Sequence, residues 1–150
     1  REEAINFCEK IKNIRSEIIL GADIIAGFPT ETNEMFNQTL DLIEKCNLTF
    51  LHIFPFSPKK GTPAYRMPQI KNNIIRERMN ILTEIKNNKN SLHLTNSIGK
   101  KEEVLSETEN YGRARNFTHV NFTKPQKSGK ILQTFVIDKN QKSLIGRVIV

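Results

Sequence analysis

The chain has 150 residues, 37% hydrophobic and 26% charged, with a formal net charge of +7. That is the length of one domain or two small ones, with enough apolar residues for a core. No run approaches the roughly 18 apolar residues of a membrane-spanning helix, which leaves a soluble, cytoplasmic protein as the expectation.

Residues 2–14 put Ala4, Ile5, Cys8, Ile11 and Ile14 at helical spacing, predicting an amphipathic helix. The first residues are charged rather than signal-like, and Arg1 stands where an initiator Met is expected, so the chain is expected to begin inside a longer protein. EIILGADIIAGFP then reads as a buried strand ended by Gly27-Phe28-Pro29. Thr32 or Asn33 can cap a following helix that runs to about Cys46 and buries Phe36, Leu40 and Ile43. LTFLHIFPFS, residues 48–57, is a second strand with Phe50, His52, Phe54 and Phe56 on one face. Pro55 should end its regular pairing, because proline has no ladder donor. Helix, strand, helix, strand at this spacing is the pattern of a parallel α/β sheet. Two strands complete no barrel, so they are expected to be the end of a larger one.

A loop rich in proline and glycine follows at 57–69. From about Lys71 a long helix carries Ile74, Ile75, Met79, Leu82 and Ile85 as its apolar stripe, with an interruption expected at NNKN, 87–90. Beyond Gly99 come four short strand signals: EEVLSE, GRARNFTHVNF, KILQTFVID and SLIGRVIV. Such regular spacing predicts a small antiparallel β-barrel. Charge is uneven along the chain. Residues 1–97 hold 13 Lys and Arg against 11 Asp and Glu, whereas residues 98–150 hold 10 against 5. A polyanion partner and a solvated basic surface both fit that excess. Cys8 and Cys46 match no metal-ligand spacing; a disulfide between them is one reading, and two buried, reduced thiols are the expectation.

Three stretches together resemble the radical-SAM methylthiotransferases, which modify transfer RNA or a ribosomal protein. DIIAGFPTET is similar to a strand end of that family, with Thr30 in place of a usual glycine. FLHIFPFSPKKGTPA is similar to its next strand and loop, and the terminal strands look like a TRAM domain, an RNA-binding module. The His-x-Phe-Pro-Phe-Ser form most resembles the branch acting on N6-threonylcarbamoyladenosine at position 37 of tRNA. The fold this implies is α/β plus all-β: residues 1–70 the last βα units of a partial, TIM-like radical-SAM barrel, 71–98 a connecting helix, and 99–150 the TRAM barrel.

The resemblance implies S-adenosylmethionine and two [4Fe–4S] clusters as cofactors of the complete enzyme. The cysteine triplets that hold those clusters are absent from this sequence. The chain is therefore expected to be inactive alone and to need the missing N-terminal half. Gly27, Phe28, Pro29, Glu31, Phe54, Phe56 and Ser57 are the residues implied to line the S-adenosylmethionine pocket, Glu31 by accepting a hydrogen bond from a ribose hydroxyl or an amine. Asp23 is expected to face the barrel interior or to pair with a base, and His52 to be structural or barrel-lining. Lys59, Lys60 and Arg66 are weaker candidates for phosphate contact. For RNA, Arg113, Arg115, Phe117 and His119 alternate onto one strand face, with Phe122, Lys124, Lys127 and Lys130 beyond them. Basic groups flanking an aromatic suit phosphate contact and base stacking, and RNA binding is the expectation for the strip; the alternative is that strand twist or a bulge turns Phe117 inward. Two other functions fit the same residues: a non-catalytic RNA-binding module derived from such an enzyme, and a fragment of an enzyme that modifies a ribosomal protein.

Overall fold

The computed structural model describes residues 1–149. The chain divides into two compact units, Arg1–Lys89 and Asn90–Val150.

The first unit contains α1 (Glu2–Ile14), β1 (Leu20–Ala26), α2 (Asn33–Lys45), β2 (Leu48–Pro55), a short 3-10 turn (Pro63–Arg66) and most of α3 (Asn72–Ser97). β1 and β2 pair in parallel, with Asp23 opposite His52 and Ile25 opposite Phe54. Parallel strands need a crossover, which α2 supplies. Thr32 starts α2 by accepting a hydrogen bond from the Met35 N–H at 3.1 Å, satisfying one of the open donors of the first turn. Pro55 ends the ladder, and the Phe56 N–H closes it on the Ala26 carbonyl at 2.8 Å.

One face of the sheet is covered. Ile24, Ala26 and Leu51 join Ile5, Phe36, Ile43, Cys46, Leu48 and Leu82 in a continuous core. On the other face Asp23 and His52 are exposed, Ile25 is 58% exposed and Phe54 50%. β1 is thus buried on one side only, not the fully buried strand its Ile content predicts. Asp23 faces solvent on that open side, so it carries no burial cost that would demand a partner. The stripe of α1 is also incomplete: Ile5 is buried, but Ile14 is exposed. Both cysteines are free, Cys46 buried and Cys8 only half-buried. Burial pushes the Cys46 thiol above its ordinary pKa. α3 runs unbroken through Asn87 and Asn88, against the expected interruption. Asparagine costs a helix under about 1 kcal/mol per residue, and the fully buried Leu82 and Leu94 on either side outweigh it.

The second unit holds the end of α3 and five strands: β3 (Lys101–Ser106), β4 (Tyr111–Ala114), β5 (His119–Phe122), β6 (Ile131–Lys139) and β7 (Leu144–Val148). They close into a barrel in the order β3-β4-β5-β7-β6, with β6 returning to β3. Closure leaves no sheet edge unpaired. The barrel is not purely antiparallel, because β5 and β7 run parallel. The stretch read as one strand, GRARNFTHVNF, is a hairpin that breaks at Arg115 and Asn116. Val104, Ala114, Val120, Val136 and Leu144 fill the interior together with Leu94 of α3. Gly112 has no alternative there, since a Cβ would collide with the Leu105 carbonyl. His93, on the last turns of α3, lies 2.7 Å from the Thr118 hydroxyl through its Nε2, and burial lowers its pKa.

Candidate functional site

Two constellations carry chemistry, one in each unit. The first is the turn after β1. Gly27 has φ +89°, open to glycine at little strain. A Cβ there would lie 2.7 Å from Ile75 Cγ1, so the close neighbour this glycine admits is α3. Glu31 folds back over the turn, and its Oε2 accepts from the Gly27 N–H at 2.6 Å and from Arg78 at 2.6 Å. Arg78 also donates to the Glu31 carbonyl at 3.2 Å and to Asn33 Oδ1 at 2.9 Å, and its guanidinium sits 5.3 Å from the Phe36 ring centroid. Both side chains of the ion pair are nearly buried, at 5% and 12% exposure.

Glu31 thus braces the turn through its Oε2, with Arg78 as a partner that its expected role as an acceptor for a ribose or amine did not include. Arg78 is the residue that the sequence reading missed. Its signal is visible afterwards: a lone charge inside the apolar stripe, four residues from Ile74 and four from Leu82. Phe28 and Phe56 meet edge to face at 5.1 Å beside this turn, and Phe28 remains 42% exposed. Pro29 is half-buried and Ser57 exposed. Phe54 lies on the open sheet face with His52. Phe28 and Phe56 thus meet near the carboxyl ends of the strands, the end at which parallel α/β folds gather ligands. Among the described residues no group of three His, Cys, Asp or Glu could hold a metal ion, so these residues offer no ligand set for an iron–sulfur cluster. Lys59, Lys60 and Arg66 are exposed in the loop that follows.

The second constellation lies on the β4–β5 hairpin. Arg113 and His119 face each other across the two strands, and His119 stacks on Tyr111 at 4.7 Å. Arg115 and Phe117 belong to the turn, so the four residues do not alternate along one strand. Phe117 does not pack inward: it is 76% exposed, with φ +65°, a conformation that bulky residues seldom adopt. Its carbonyl accepts from Arg113 at 3.3 Å and its N–H donates to the Ala114 carbonyl at 2.8 Å, bonds that hold the turn in place. Arg113 also pairs with Glu107 at 3.2 Å, and Arg115 with Glu103 at 3.4 Å. Both pairs are solvent-exposed, worth about 0–1 kcal/mol each, and would yield readily to a phosphate. Lys124, Lys127 and Lys130 are exposed, whereas Phe122 packs partly against the barrel core. Burial and the nearby Arg113 lower the His119 pKa.

No family model matches the chain. Among curated proteins it is 44% identical over 137 residues, 91% of this chain and 32% of the relative, to a threonylcarbamoyladenosine tRNA methylthiotransferase MtaB of Rickettsia prowazekii. It is 36% identical over 99% of its length to a tRNA-2-methylthio-N(6)-dimethylallyladenosine synthase of Aquifex aeolicus, of which it covers 35%. A Thermotoga maritima MtaB is 39% identical over 66% of this chain and 23% of the relative. The chain spans about a third or less of the length of these relatives. Within that span its residues place it in the family of the MiaB-like methylthiotransferases.

Proposed function

We propose that the chain is the C-terminal part of a radical-SAM tRNA methylthiotransferase that acts on N6-threonylcarbamoyladenosine at position 37. The carrying observation is the 44% identity over 91% of the chain to a relative whose name states that activity. Within Aquifex aeolicus the identities run the other way, 36% to the dimethylallyladenosine enzyme and 29% to MtaB. The choice of base therefore rests on the Rickettsia match and on the His52-to-Ser57 stretch.

In this reading the α/β unit is the end of the radical-SAM barrel. Phe28, Phe54 and Phe56 give an apolar wall against the nucleoside of S-adenosylmethionine, with Gly27, Pro29 and Ser57 shaping its rim. Glu31 and Arg78 keep that wall in position. S-adenosylmethionine supplies the radical initiator and the methyl group when bound to the complete enzyme. The open face of Asp23, Ile25, His52 and Phe54 then belongs to the barrel interior. The closed barrel is the TRAM module and holds tRNA through Arg113, Arg115, Phe117 and His119, with Lys124 and Lys127 adding charge.

Replacing the matching third of the Rickettsia enzyme by this chain tests the activity. In a bacterial strain lacking the modification, the chimera should restore 2-methylthio-N6-threonylcarbamoyladenosine in digested tRNA. Modification of dimethylallyladenosine instead, or none by a cluster-loaded chimera, overturns the assignment. The RNA part is tested on the chain itself. Arg113→Ala with Arg115→Ala should weaken tRNA binding and flatten the plot of log affinity against log salt by about 1–2 units. An unchanged slope removes this surface from the proposal.

A further inference from the structure

The barrel carries a second feature beside the hairpin. Because β5 and β7 are parallel, with Val120 opposite Leu144 and Asn121 opposite Ile145, the turn between β6 and β7 is laid next to His119. An open hollow of about 560 Å³ results, lined by His119, Asn140, Gln141, Lys142 and Ser143. Small-molecule sites have volumes of roughly 300–1,000 Å³.

Side chains hold its walls. Asn140 Oδ1 accepts from the N–H groups of Lys142 and Ser143 at 2.8 Å each and from the Ser143 hydroxyl at 3.0 Å. Asn121 Nδ2 donates to Ser143 Oγ at 2.8 Å, tying the turn to β5. One face of the His119 ring is backed by Tyr111, and His119 is among the residues that line the hollow. Gln141 and Lys142 are exposed at the rim. The hollow thus offers a backed aromatic surface, an amide able both to donate and to accept, and a cation. Unpaired nucleotides are bound by that combination of stacking, edge recognition and phosphate contact.

We propose that this hollow is a subsite for one unpaired nucleotide of an RNA strand, its base against His119 and its phosphate near Lys142. The proposal rests on the tRNA-binding reading of the barrel and adds to it a preference for single-stranded over duplex RNA. A base inside a duplex is already stacked and cannot enter the hollow.

The test uses the whole 150-residue chain. In nitrogen-edited NMR spectra, titration with adenosine 5′-monophosphate should shift the amides of His119, Gln141, Lys142 and Ser143 together. In parallel, fluorescence anisotropy with a short unstructured RNA and with a duplex of the same sequence should show His119→Ala losing about tenfold in affinity for the single strand. His119→Phe should keep most of that single-strand affinity. Gln141→Ala, at an exposed turn residue that cannot unfold the barrel, should weaken the single strand alone. Equal losses on both RNAs in Gln141→Ala, or shifts confined to Arg113 and Arg115, overturn the subsite while leaving RNA binding by the barrel standing. Absence of binding to any RNA, with no shift from the nucleotide, overturns both.

Discussion

The two units solve the problem of an exposed sheet in opposite ways. In the second, β6 pairs back to β3 and the barrel has no edge left. In the first, two strands are covered on one face only, with Asp23, Ile25, His52 and Phe54 open to solvent. Ile25 and Phe54 thus leave apolar surface on the open face. A closed barrel can specify its own core. The open pair depends on α2 and α3 and on a buried ion pair to hold its turn.

Removing that ion pair should have the largest effect. Arg78→Met leaves the Glu31 carboxylate nearly buried and unpaired, which costs about 3–5 kcal/mol. The loss should appear as earlier urea unfolding and faster amide exchange at Gly27, with barrel amides unchanged. Equal loosening of both units would mean that they unfold as one. Leu94→Ala is the converse probe. It empties a fully buried site in the barrel core and should cost about 2–5 kcal/mol in the second unit alone. Exchange at β1 and β2 amides reports whether the first unit is spared.

The smallest effect is a pH dependence. Burial lowers the His93 pKa below its ordinary 6.5, so the folded barrel takes up this proton less readily than the unfolded chain does. As pH falls through about 6.5, stability should therefore decline until the folded-state pKa is passed. His93→Gln should flatten this slope, measured as the urea midpoint of the barrel between about pH 7 and 6. Glu102, whose pKa burial raises, acts in the opposite sense starting from its ordinary 4.5, below that window. A wild-type slope no steeper than that of the variant would remove His93 from the account.

Local chemistry made much of the architecture legible. The bounds of α1, the cap at Thr32 and the end of β2 at Pro55 each depend on residues within a few positions of one another, so the sequence alone could supply them. The changes from helical to alternating periodicity marked the passage from α/β elements to barrel strands. The aromatic and basic residues of the hairpin, and Phe28 and Phe56, could also be named in advance as candidates. Their arrangement could not. Glu31 looked free because its partner Arg78 is 47 residues away. Phe117 looked like a strand residue because nothing local announces a left-handed phenylalanine at a turn.

The amino-acid order by itself determined the helices, the strand ends and the basic character of the last third, because propensity, capping and charge act over a few residues. Only the tertiary structure decided which face of β1 is buried, that β5 and β7 run parallel, and that Glu31 is paired with Arg78. Each of these is set by groups far apart in sequence, brought together by the closing of a core. The hollow beside His119 exists for the same reason. It is made by a strand pairing, and no stretch of the sequence contains it.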